Sequence, residues 1–230
     1  MTVVLLDPYH LGDPLFVSQL ARDVAARKEG LVFVHGSGEA GERALEARGL
    51  FPEARDGAWV VGSAAEAADV ERATRDLNRR LMHEMSEAGA PAVRVMGADR
   101  GLLARGPDGT LRTGRTAWLS ALVAQGGVAV VASLVASEDG AALQEVDAAE
   151  AAARLAEALA ADAVVLLASG RAVASEDAMT VAEAASMLPD RALAERLVRM
   201  SRVPVIVAGA AQLRSPGALA GTRLAAPAAS

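Results

Sequence analysis

Apolar runs at residues 3–6, 31–34, 128–135, 164–168 and 203–208 alternate along the chain with stretches of helical spacing. Runs such as "VAVVASLV" (128–135) show no polar alternation. A strand with one wet face alternates, whereas a strand covered on both faces reads as continuously apolar. The pattern therefore predicts an α/β fold: a three-layer αβα sandwich with a mostly parallel central sheet. Helices are predicted at 16–26, from the end of the glycine loop to 48, at 64–88, 118–125 and 148–160, and over most of 182–200. Leu77, Leu81 and Met85, four residues apart, mark a core-facing stripe on the long helix, with Met82 beside it. "GAPAVRVMG" reads as a loop and a strand, and the 58–61 segment "AWVV" as a short strand between turns. The Pro-Asp-Gly within "ARGPDGTLRTG" signals a hairpin. "GTRL" (221–224) is expected at a sheet edge.

Net charge is −6 with the acids dispersed, and aromatic residues make up only 3%. A nucleic-acid binder would show a basic stripe or stacking aromatics, so that class is set aside. No apolar run approaches the roughly 20 residues of a membrane-spanning helix. The first residues lack a basic segment followed by a cleavage site, so no secretory signal is read and a cytoplasmic protein is expected. The absence of cysteine removes disulfide and thiolate chemistry. Lys28 is the only lysine.

The segment "LVFVHGSGEAG" runs from strand through glycine loop to helix start, a build suited to anions. Gly36, Gly38 and Gly41 spell the dinucleotide fingerprint G-x-G-x-x-G. That fingerprint also wants an acid at the end of the next strand, and "AWVV" ends in Gly62 and Ser63 instead. An esterase reading needs a downstream G-x-S-x-G elbow, which Ser133 and Ser169 do not supply. His35 then reads as a structural loop residue. The glycines have a plain alternative role in a tight turn, and Asp147 has one as a helix N-cap. Glu145 likewise reads as a solvated acid ahead of that helix.

Taken in order, "VFVHGSG", "LNRRLMHEMSEAGAPAVRVMGADRGLL", "VAQGGVAVVASLVASEDGAALQEVDAAEAAARLAEALAADAVVLLA" and "GTRL" resemble the amino-acid kinase family, acetylglutamate kinase and the aminoadipate kinases in particular, over residues 30–224. The resemblance implies one domain over 1–230: an acceptor-substrate lobe at about 1–140, a nucleotide-side lobe at 141–225 and a tail at 226–230. It implies ATP-dependent phosphorylation of an amino-acid carboxylate, with ATP and Mg as cofactors, in amino-acid biosynthesis. Gly36, Ser37, Gly38, Glu145 and Asp147 would meet acceptor or phosphoryl group, and Ser169, Gly170 and Arg171 the nucleotide. Gly97 and Gly101 would form the neighbouring turn. No resident metal ligands are read. A homodimer is implied, with the long helix as its interface, and an amino-acid-like small molecule as ligand.

The chain departs from that pattern where charge matters. The family's first strand ends in Lys-x-Gly-Gly; here the chain reads "LLDPYHLGD", and Pro8 lacks an N–H. The substrate-gripping arginine is replaced by Trp59, which cannot clamp a carboxylate bidentately. "N-V-N-A-D" becomes Glu145, Val146, Asp147, Ala148 and Ala149. The second family lysine has no counterpart, leaving Arg191 or Arg196 for its space, Arg191 being taken as the catalytic candidate. Arginine's planar fork is not a substitute for lysine's point charge. The open functions are an acetylglutamate-kinase-like phosphotransferase, a non-catalytic ligand-binding or regulatory paralogue, and an NAD(P)-binding oxidoreductase. Trp59 and Trp118 read as packing or interface residues.

Overall fold

The computed structural model describes residues 1–106, 108–137, 142–168, 177–215 and 220–225. In chain order its elements are β1 (Thr2–Leu5), α1 (Pro8–Gly12), α2 (Pro14–Ala26), β2 (Leu31–His35), α3 (Glu39–Glu46), β3 (Ala54–Arg55), β4 (Ala58–Trp59), α4 (Ala64–Glu87) and β5 (Ala92–Met96). Then come β6 (Leu103–Arg105), β7 (Leu111–Thr113), α5 (Ala117–Ala124), β8 (Val128–Ala132), β9 (Leu134–Ala136), β10 (Leu143–Glu145), α6 (Ala148–Ala158) and β11 (Ala163–Leu167). The last are β12 (Met179–Thr180), α7 (Arg191–Met200), β13 (Val205–Ala208) and β14 (Thr222–Ala225).

One eight-stranded sheet runs β12-β14-β13-β11-β1-β2-β8-β5 and is parallel except where β13 meets β14. β1, β2, β8 and β11 are buried along their whole lengths, as continuous apolar strands require. Two cores flank the sheet. Val3, Val32, Val131 and Val164 belong to one, with α5, α6 and α7. Val4, Phe33, Val130 and Val165 belong to the other, with α2 and α4. Neighbouring residues of a strand thus enter opposite cores, which is the expected three-layer sandwich.

Two expectations need correction. The 128–135 run is not one strand: it leaves the main sheet at Ser133, and β9 pairs antiparallel with β10. Both halves are buried, so hydropathy carried no mark of the change of sheet. The 182–200 segment is helical over most of its length, as expected, in two pieces. After a 3-10 turn at Ala185–Met187 the chain breaks at Pro189, and Asp190 caps a fresh helix, α7, through Leu193 N. β14 lies second from the sheet edge, with β12 outside it. The sequence also hid a hairpin, β3–β4, whose Asp56 and Gly57 both take positive φ, the form of a tight two-residue turn. The expected hairpin near the Pro-Asp-Gly is β6–β7, although Pro107 itself lies outside the described residues.

The apolar stripe of α4 is used within the chain. Leu77, Leu81 and Met85 are buried against α2 and the sheet. Among the described residues, no helix is long and apolar enough to cross a membrane.

Candidate functional site

A cleft of about 450 Å³ opens at the carboxyl edge of β1 and β2. Ligands of open α/β sheets bind at this edge, outside the strand ends. β1 leaves into it through Leu6 and Pro8, and β2 through Gly36, Ser37 and Gly38. The β3–β4 hairpin contributes Asp56, Gly57 and Trp59, the start of α6 contributes Asp147 and Ala148, and α7 contributes Leu193 and Arg196.

The floor is a hydrogen-bonded chain. Ser37 N–H donates to Glu145 Oε1, and Ser37 Oγ donates to Glu145 Oε2 at 3.0 Å. Trp59 Nε1 donates to Ser37 Oγ at 2.9 Å. Accepting from Trp59 leaves the single hydroxyl proton of Ser37 free to face the carboxylate. A Cβ at Gly36 would lie 2.9 Å from Glu145 Oε1, so glycine there leaves room for the carboxylate. Gly57 carries a φ of 78° and would drive a Cβ into the Asp147 carboxyl. Burial pushes the Glu145 carboxyl up to about 7, with the Asp147 charge adding to it and the two Ser37 hydrogen bonds opposing.

Asp147 caps α6, accepting from Ala149 N at 3.0 Å, and receives Arg196 Nε at 3.1 Å. Burial also raises its carboxyl, against the pull of Arg196. Beneath the loop, His35 is fully buried: its Nδ1 lies 2.8 Å from Gly36 O, and its Nε2 2.8 Å from Asn78 Nδ2. Burial lowers its imidazole to about 4, so the ring is neutral at pH 7 and acts as a structural brace, as expected. The neutral form with hydrogen on Nδ1 satisfies both contacts.

Of the expected site residues, Gly36, Ser37, Gly38, Glu145 and Asp147 come together in this cleft. Arg191 does not line it: its guanidinium is exposed and paired with Glu195 at 2.8 Å, and Arg196, one turn on, faces the cleft instead. Ser169, Gly170 and Arg171 lie outside the described residues. Gly97 and Gly101 form a turn after β5, away from the cleft lining. Sequence reading missed Glu39, Glu42, Asp56 and Asp190 as lining residues. The Asp-Gly pair at 56–57 and the Pro-Asp pair at 189–190 were the available signals, a hairpin turn and a helix start. Lys28 lines a concavity with Met1 and Thr2, at the amino edge of the sheet, opposite the cleft.

The dinucleotide fingerprint lacks its context. The next parallel strand in the chain after α3 is β5, which is separated from β2 by β8. An acid at its end could not face the glycine loop as the ribose contact does.

The sequence profile of the amino acid kinase family matches residues 10–197. The chain belongs to the amino acid kinase family. It is 30% identical to the acetylglutamate kinase of Chloroflexus aurantiacus over 103 residues, which are 45% of this chain and 41% of that protein. The fold matches N-acetylglutamate synthase from Neisseria gonorrhoeae, solved with coenzyme A and N-acetyl-glutamate, at a TM-score of 0.68 and 20% identity. That match covers 99% of this chain and 59% of the synthase. Aspartate kinase from Synechocystis matches at a TM-score of 0.64 and 16% identity, over 99% of this chain and 40% of that one. This family member therefore spans about 40–59% of these relatives' lengths.

ATP and Mg are the cofactors its family implies; the residues expected to meet the nucleotide, Ser169, Gly170 and Arg171, lie outside the described residues, and a polyphosphate does not fit the cleft that is described. Six carboxylates line it, on Glu39, Glu42, Asp56, Glu145, Asp147 and Asp190, against one cation, Arg196, which Asp147 already pairs. A polyphosphate would meet net negative charge here.

Proposed function

We propose that this amino acid kinase family member binds a small ligand in the cleft and does not transfer a phosphoryl group at the ordinary kinase rate of roughly 1–100 s⁻¹. The observation that carries the reading is that the Ser37 donors of the glycine loop are engaged by the chain's own Glu145. Phosphoryl transfer depends on donors and cations placed where charge spreads over the migrating oxygens, and losing one such donor costs about 2.7–4 kcal/mol. Here the donors are occupied, and the one cleft cation among the described residues is neutralised.

An acetylglutamate-kinase-like phosphotransferase is the second reading. The likeness to the Chloroflexus aurantiacus enzyme favours it. The two separate in one experiment. The full chain is incubated with ATP, Mg and either N-acetylglutamate or aminoadipate, and acyl phosphate is trapped with hydroxylamine. Thermal shifts are read with the same compounds, ADP and NAD. The proposal expects no hydroxamate together with stabilisation by at least one amino-acid-like ligand. A ligand at 100 times its Kd adds about 2.7 kcal/mol. Hydroxamate forming at about 1 s⁻¹ or faster would reverse the order of the two readings.

A further inference from the structure

We propose that the glycine loop carries an oxyanion site that this chain holds shut with the Glu145 carboxylate. Two donors converge there, Ser37 N–H and Ser37 Oγ–H, and each meets one oxygen of the same carboxylate. Trp59 fixes the hydroxyl's direction from the other side. A carboxylate bridging two donors in this way takes the place of two oxygens of a free tetrahedral anion. Glu145 is delivered to the spot by the register of the β9–β10 pair, in which it lies opposite Leu134. It is tethered, so it competes at an effective concentration on the order of millimolar or above, which raises the concentration a free anion needs to displace it.

The plug is costly to keep charged, since burial drives its carboxyl up to about 7. As it takes a proton it becomes a poorer acceptor and no longer repels an incoming anion. The charged groups around it are Asp147 and its partner Arg196, with Asp56 from the β3–β4 turn, Asp190 from α7, and Glu39 and Glu42 from α3. His35 beneath the loop is neutral at pH 7. The surrounding acids weaken any anion and are present in both proteins, so a comparison at position 145 reads the removal of the plug.

This inference deepens the ligand-binding reading and rests on it for the nature of the cleft. Sulfate binding needs neither nucleotide nor turnover, so the two fail separately. Sulfate is the probe because its charge is constant between pH 5 and 8. The full chain and its Glu145→Ala variant are titrated with sulfate at pH 8, by calorimetry and by the Ser37 amide resonance. The variant is expected to bind at least about tenfold more tightly, with the shift centred on Ser37. Wild type alone is then titrated at pH 8 and pH 6, which requires no substitution to fold. Its affinity is expected to rise about fivefold or more at the lower pH. Equal or weaker binding by Glu145→Ala overturns the proposal, as does a wild-type affinity that is the same at both pH values.

Discussion

Replacing Glu145 by glutamine is expected to stabilise the protein at pH 8 by up to about 3 kcal/mol, and to make it more acid-sensitive than wild type. The carboxyl titrates at about 7 in the folded state against an ordinary 4.5. Each unit of displacement is about 1.4 kcal/mol. Because the folded value is raised, the folded state takes up a proton that the unfolded state does not between pH 7 and 4.5. Wild type therefore gains stability from Glu145 as pH falls through that window and is penalised above it. Glutamine carries no charge, its oxygen still accepts from Ser37 N–H, and its amide can donate to Ser37 Oγ. His35 acts in the opposite sense. Its folded value of about 4 lies below the ordinary 6.5, so the unfolded state takes the proton first and stability is lost as pH falls from 6.5 to 4. The two contributions are similar in size and opposed, so they nearly cancel each other between pH 6.5 and 4.5. Glu145→Gln leaves His35 uncompensated. Urea unfolding at pH 8, 6 and 4.5 checks this: the advantage of the variant is expected to shrink from about 3 kcal/mol to near zero. A pH-independent difference would refute it.

Replacing Asn78 by alanine is expected to cost about 2–4 kcal/mol. Asn78 is fully buried on α4, and its Nδ2 donates both to His35 Nε2 at 2.8 Å and to Val130 O at 2.9 Å. One side chain thereby ties the long helix to the end of β2 and to β8. Truncation orphans two buried acceptors, at about 1–3 kcal/mol each, and opens a void. Part of this is offset because Asn78 Oδ1 is itself buried without a partner among the described groups. The loss is read as a lower urea midpoint at pH 7, where His35 is neutral in either protein. A cost below about 0.5 kcal/mol would show that the brace under the glycine loop carries no weight.

The parallel core was legible in the sequence because burial on both faces writes itself as unbroken apolar runs. β1, β2, β8 and β11 fall where those runs fall. What hydropathy could not report was the change of sheet at Ser133, since β9 is as buried as β8 for most of its length. The break at Pro189 was legible in principle, because the residue before a proline is pushed out of the helical region. For the site, the glycine loop was visible as strand, turn and helix start. The partner of its donors was not. Glu145 lies 108 residues from Ser37, and composition alone reads it as a solvated acid. Asp147 was read as an N-cap and is one, but its second contact, Arg196, depends on how α7 packs on α6. Arg191 and Arg196 could not be ranked from sequence, because five positions on a helix turn one side chain out and the other in.

The family fold here carries a cleft whose described lining has six acidic side chains and one arginine. A relative that transfers phosphoryl groups needs donors free to meet oxygens; here the donors of Ser37 already hold oxygens belonging to the chain. The most direct test is an NMR titration of the Glu145 side-chain carboxyl carbon, followed together with the Ser37 amide. A midpoint near pH 7 is expected, with the Ser37 resonance moving in step. A midpoint near 4.5, with the Ser37 amide unmoved, would contradict it.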